Sequence, residues 1–189
     1  MSRDMIRAWS DGTVKNGEAA HAYTIRTASD DPTECIVGSS MTPGDPKSIW
    51  SLRTEHYGAF GIALLVQILC IRHSITAAEG YLNFYIHNDT VIKRLKYGIQ
   101  QEMGSIKYCN TDYDIWAETI HILESLPCPS AFTHVKGHQD EVLYALKGHQ
   151  DEVLYASCKV RSPLPRLAHY NIEMDRLAGQ CRKWEYNQR

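Results

Sequence analysis

A mixed α/β sheet with helices packed against it is the fold this sequence predicts, and three observations predict it. Short alternating segments divided by turn residues come first. A long stretch with helical spacing follows. Strand-like and helix-like segments then alternate to the end of the 189 residues.

Met5 to Val14 reads as a first strand, closed by the turn signals Gly12 and Asn16–Gly17. Glu18 to Thr27 carries Tyr23 and Ile25 on one face, and Glu34 to Ser39 carries Ile36 and Val37. Short polar turns between these runs predict three antiparallel strands in a meander. Pro43–Gly44–Asp45–Pro46 then breaks the pattern. From Ser48 to about Arg72 the spacing is helical, with Ile62, Val66 and Leu69 recurring three and four apart. Both faces are apolar late in this helix, which predicts a central position.

Tyr81 to Asn88 alternates cleanly, with Leu82, Phe84 and Ile86 on one face of a strand. A short helix is expected from Asp89 to Leu95, and a longer one from Asp112 to Leu126 around Ile115, Ile120 and Leu123. Ala131 to Val135 reads as a last short strand. Asn171 to Tyr186 reads as a terminal helix whose stripe is Met174, Leu177, Ala178 and Cys181.

Composition narrows the function classes. With 43% hydrophobic residues the chain can bury a sizeable core, and its length favours one domain over residues 1–189, with a core from about 5 to 186. Lys and Arg number 20 against 22 Asp and Glu, which argues against a salt-driven duplex binder. That balance turns positive if several acids are absorbed by metal ions. Six cysteines at 35, 70, 109, 128, 158 and 181 form no C-x-x-C pair, so they read as reduced thiols of an intracellular protein. The start, MSRDMIRAWSDG, has no apolar signal core. The most apolar run, Ala59 to Ile71, contains Gln67 and is short for a bilayer, so no membrane is expected as a partner.

KGHQDEVLYA occurs at Lys136–Ala145 and again at Lys147–Ala156. Two copies cannot stack into a solenoid core, so residues 136–157 read as a duplicated loop segment.

Four acids occupy informative places. Asp11 lies in WSDGT near the middle or end of the first strand, and Glu55 lies in SLRTEHYG about two turns into the long helix. Asp89 follows the cleanest strand, in YIHNDT. Asp175 lies on the final helix, one turn beyond Asn171 and on the same face. Singly, each reads as a turn residue, a cap or a solvated face. Together, at strand ends and a helix start, they describe a carboxylate cluster, and like charges so close need divalent cations to offset their repulsion. Two ions roughly 4 Å apart can activate a water and stabilise the leaving oxygen of a phosphodiester.

The ordered segments WSDGTVKNGEAAHAYTI, SLRTEHYG, IHND, HVKGHQD and NIEMDRLAG, from about Met5 to Gly179, resemble a type 1 ribonuclease H domain of the retroelement kind. The resemblance implies a five-stranded mixed sheet flanked by helices. It implies endonucleolytic cleavage of the RNA strand of an RNA–DNA hybrid with two Mg²⁺ or Mn²⁺ ions. Asp11, Glu55, Asp89 and Asp175 would be the metal-binding carboxylates, with Asp11 bridging the ions and Gly12 allowing close backbone approach. Asn171 would orient the site or the substrate strand. A mobile-loop histidine near the scissile phosphate falls on His138 or His149, because the duplication offers both; His138 directly follows the AFTHV strand, and His149 is nearer Asp175. A reverse transcriptase or other retroelement polypeptide is the implied partner. Asp11 falls so near the start that a detached domain or fragment of a larger element is expected.

Lys93, Arg94 and Lys96 can contact phosphates of a hybrid or form a solvated helix face. A zinc site drawn from His134, His138 and Cys158 lacks a fourth ligand. Two other readings compete: a nucleic-acid-binding module or retroelement remnant whose insertion has spoiled catalysis, and an integrase or 3′–5′ exonuclease. Gly12 and Thr13 after Asp11 argue against the exonuclease pattern, and Asp175 in place of a glutamate argues against the integrase.

Overall fold

The computed structural model describes residues 5–27, 33–45, 49–100, 112–135 and 166–186. The duplicated segment 136–157, His138, His149, Cys109 and Cys158 lie outside the described residues.

Three strands open the fold: β1 (Met5–Lys15), β2 (Glu18–Arg26) and β3 (Cys35–Met41). They form the antiparallel meander that the turn residues imply. Asn16 and Gly17, with φ of 55° and 77°, make the tight connection in which both residues must turn left-handed. Helix α1 (Ser51–Arg72) follows, then β4 (Tyr81–Ile86), α2 (Asp89–Gln100), α3 (Tyr113–Ser125), β5 (Ser130–His134) and α4 (Arg166–Tyr186). The sheet has five strands in the order β3-β2-β1-β4-β5. β4 and β5 run parallel to β1, which is therefore central.

Strand alternation divides the core. Ala8 on β1 packs with Ala59, Ile62 and Val66 of α1, Phe84 and Ile86 of β4, and Trp116 and Ile120 of α3. Trp9, one residue on, packs with Met174 and Ala178 of α4, stacked at 4.9 Å on Tyr85 and 4.4 Å from the Tyr170 ring. One face of the sheet thus carries α1 and α3, and the other carries α4. Gly58 lets α1 seat close on β1, since a methyl there would lie 2.8 Å from Ser10 Cβ.

Most boundaries shift by one to three residues, and those of β4, α2 and α4 bear on the site. β4 stops at Ile86 rather than Asn88, because Asn88 Oδ1 accepts the N–H groups of Thr90 (3.0 Å) and Val91 (3.3 Å) and starts α2 there. α2 continues to Gln100, and α4 begins at Arg166, five residues before Asn171. The end of α1 is not central: Ile68 and Ile71 are 49% and 72% exposed, because the helix outruns the sheet that covers it.

Candidate functional site

The parallel register pairs Ser10 with Ile86, so the next residues, Asp11 and His87, sit side by side just past the end of β4, beside the middle of β1. The final turns of parallel strands are where α/β sheets collect ligand sites. The first turns of α1 bring Glu55 to the same place. Ligand atoms of Asp11, Glu55 and His87 all lie within 4.8 Å of one another. His87 Nδ1 is 3.0 Å from Glu55 Oε1 and 3.5 Å from Asp11 Oδ1.

Asp11 and the backbone of His87 are held from outside the cluster. Asp11 Oδ1 accepts the Gly12 N–H at 2.8 Å, and Asn171 Nδ2 donates to Asp11 Oδ2 at 3.4 Å. The His87 carbonyl accepts from His134 Nε2 at 2.8 Å, which ties the end of β4 to β5; a carbonyl only accepts, so that nitrogen carries the hydrogen. Gly12 has no room on its α1 side, where a methyl would lie 2.6 Å from Thr54 Cβ and 2.8 Å from the Thr54 carbonyl carbon. Its small size lets α1, and with it Glu55, approach Asp11.

Glu55 is fully buried, and burial raises its carboxyl far above the usual carboxylate range, with the charge of Asp11 adding to the effect. Hydrogen bonds to Asp11 and Glu55 raise the imidazole of His87. Among the described residues, Glu55 Oε2 and Asn171 Oδ1 find no hydrogen-bond partner, and Asn171 is 2% exposed. Buried acceptors without donors are costly, and a cation is the partner that satisfies several at once. The donor set therefore fits a divalent cation, which Asp11, Glu55 and His87 would hold.

Comparison with known proteins agrees with this architecture. No protein-family model matches the chain, and no curated protein matches it by sequence. Solved structures do match. The N-terminal RNase H domain of a Mycobacterium tuberculosis protein, solved as a fusion with maltose binding protein, superposes with a TM-score of 0.54 at 9% identity, covering 98% of each chain. The PFV RNase H domain superposes with a TM-score of 0.51 at 13% identity, covering 96% of this chain and 94% of that one. This is a ribonuclease H-like fold. It is the mixed five-stranded sheet with flanking helices that the sequence implied.

Within the RNase H-like sheet the expected residues separate. Asp11 and Glu55 come together, and Asn171 contacts Asp11. Asp89 does not join them. It is the first residue of α2, its side chain is 53% exposed, and its carboxylate pairs with Lys93 one turn on, which lowers its pKa. The early end of β4 is the physical reason: His87, not Asp89, is the first residue past the strand. Asp175 is half-buried on α4 and lies outside the three-residue cluster. Gly12 serves the packing of α1. Lys93 and Lys96 are exposed on α2, whereas Arg94 is half-buried and its carbonyl accepts the Trp116 indole N–H at 3.0 Å.

His87 is the residue that sequence reasoning missed. The signal was available: with Asn88 as helix cap, Val91, Ile92 and Leu95 form the buried stripe of α2, and His87 falls at the strand end.

Proposed function

We propose that the chain is a metal-dependent endonuclease that hydrolyses the RNA strand of an RNA–DNA hybrid. The observation that carries this reading is the buried Asp11–Glu55 pair, with a Glu55 oxygen that finds no partner among the described residues, beside the end of β4 in a ribonuclease H-like sheet. Asp11 and Glu55 would be the principal ligands, with Asp175 on α4 completing a second position. Bound there, divalent cations would supply an activated water and stabilise the leaving oxygen of a phosphodiester.

The protein's own residues position that chemistry. The Gly12 amide and Asn171 fix the two oxygens of Asp11, and the wall formed by α1 excludes water from Glu55. Lys93 and Lys96, exposed on α2, would meet backbone phosphates. The loop histidine, His138 or His149, would assist proton transfer or product release, and a reverse transcriptase or other retroelement polypeptide would be the partner.

Cleavage of a labelled hybrid with Mg²⁺ and, separately, with Mn²⁺ tests the reading, alongside Asp11→Asn and a chelator control. Internal cuts in RNA that vanish in Asp11→Asn support it. A second reading, a hybrid-binding module without catalysis, is favoured by one observation, the departure of Asp89 from the cluster. Hybrid binding without cuts under either metal would establish that alternative and end the nuclease reading.

A further inference from the structure

We propose that Asp11, Glu55 and His87 form a mixed carboxylate–imidazole cation site that selects a first-row transition ion such as Mn²⁺ over Mg²⁺. This deepens the nuclease reading by naming the cation, and it rests on that site being a metal centre.

The spacing of the donors supports it. Neighbouring ligands on an octahedral ion at about 2.1 Å lie about 3.0 Å apart, and on a tetrahedral ion about 3.4 Å apart. His87 Nδ1 lies 3.0 Å from Glu55 Oε1, a hydrogen bond, and 3.5 Å from Asp11 Oδ1, so two of the three donor separations already match those of ligands around one ion, and all three donors lie within 4.8 Å of one another. His87 is held there by the β1–β4 register and by the His134 bond to its carbonyl.

A second observation lies outside the three donors. Asn171 comes from α4, is 2% exposed, and has its Nδ2 on Asp11 while its Oδ1 finds no donor. A buried amide anchored on Asp11 with an unsatisfied oxygen points to a ligand in the pocket. The orphaned Oε2 of Glu55 leaves a further acceptor on the same wall.

The donor chemistry decides the ion. Mg²⁺ takes oxygen ligands almost exclusively and keeps several waters. Imidazole nitrogen shifts preference to the first-row transition series. A carboxylate at the position of His87 would leave a hard all-oxygen site. With His87 there, one of three protein donors is nitrogen, and Mg²⁺ loses its share of the binding energy.

The test is calorimetric titration of the full chain with Mn²⁺ and with Mg²⁺, repeated on His87→Ala and His87→Asp. Wild type should bind Mn²⁺ at least about tenfold more tightly than Mg²⁺. His87→Ala should lose about tenfold for Mn²⁺ while Mg²⁺ stays within about twofold, and His87→Asp should narrow the Mn²⁺/Mg²⁺ ratio. Pulsed electron paramagnetic resonance of the Mn²⁺-loaded wild type should show histidine nitrogen coupling that His87→Asp removes, which needs no catalysis. Equal affinities, Mn²⁺ binding without nitrogen coupling, or no binding of either ion would overturn the proposal. Hybrid cleavage fully supported by Mg²⁺ would overturn it and leave the nuclease reading standing. Selective Mn²⁺ binding with no cleavage would do the reverse.

Discussion

Gly12→Ala tests how the site is built. The added methyl would lie 2.6 Å from Thr54 Cβ and 2.8 Å from the Thr54 carbonyl carbon, whereas carbon atoms rest about 3.5 Å apart or more. Thr54 cannot turn aside. It is fully buried, its hydroxyl donates to the Ser51 carbonyl at 2.7 Å, and one of the clashing atoms is backbone. Relief requires α1 to recede from β1 by about 0.7–0.9 Å, an overpacking cost of about 2–3 kcal/mol. The better strand propensity of alanine offsets about 0.5 kcal/mol of that. Stability should therefore fall by about 2 kcal/mol, and Tm by about 4–8 °C. Glu55 follows Thr54, so it withdraws from Asp11 by the same distance and Mn²⁺ affinity should fall with stability. Urea denaturation and metal titration of the same preparation read both effects. Adding Thr54→Ala should restore less than half of the loss, since Cβ and the carbonyl remain. A Gly12→Ala protein within about 0.5 kcal/mol of wild type, with unchanged metal affinity, would refute the argument that this glycine sets the distance between the two acids.

Other expectations follow from ionisable groups. Burial depresses His21 to about 4 and His56 to about 3, from an ordinary value near 6.5, so between pH 6.5 and 3 the unfolded chain binds more protons and stability falls on acidification. Glu55 and His87 shift upward, so without metal the folded site holds extra protons and stability falls again as pH rises through the alkaline range. Urea midpoints in chelator should peak on the acid side of neutrality; Mn²⁺ should abolish the alkaline fall, and His56→Leu should flatten the acid one. Arg53 pairs with buried Asp112 at 3.2 Å and with exposed Asp114 at 2.8 Å. Arg53→Met strands the Asp112 charge and should cost about 3 kcal/mol, whereas Asp114→Asn should cost under about 1 kcal/mol; equal losses in urea denaturation would contradict this. Asp89→Asn should leave Mn²⁺ affinity within about twofold, where Asp11→Asn lowers it by more than about tenfold. Lys93→Ala should reduce the salt slope of hybrid binding by about one unit if α2 meets phosphate.

Much of the fold is legible because its elements obey strong local rules. The alternation of Leu82, Phe84 and Ile86 marks β4 to the residue where its buried face ends, and Asn16–Gly17 marks the first hairpin. The site is legible only in part. Asp11 and Glu55 stand in motifs whose partners are fixed by element type, the central strand and a helix start. Asp89 and His87 are separated by a helix cap, Asn88, a polar residue in the phase of Leu82, Phe84 and Ile86 whose side chain binds α2 amides; one polar residue in that phase does not by itself tell a cap from a continuing strand. The exposure of Ile68 and Ile71 was equally hidden, since it depends on where the sheet stops and not on the periodicity of α1.

The bond from Asn171 to Asp11 spans 160 residues. During synthesis β1 is made first, and at about 10 residues per second roughly 16 s pass before its amide partner exists. The sheet and α1 can assemble in that interval, with Glu55 and His87 already beside Asp11. The Trp9 face, meanwhile, waits uncovered for Met174 and Ala178. Docking of α4 is therefore the step that both seals the apolar sheet face and finishes the pocket, which closes only after α4 has been made.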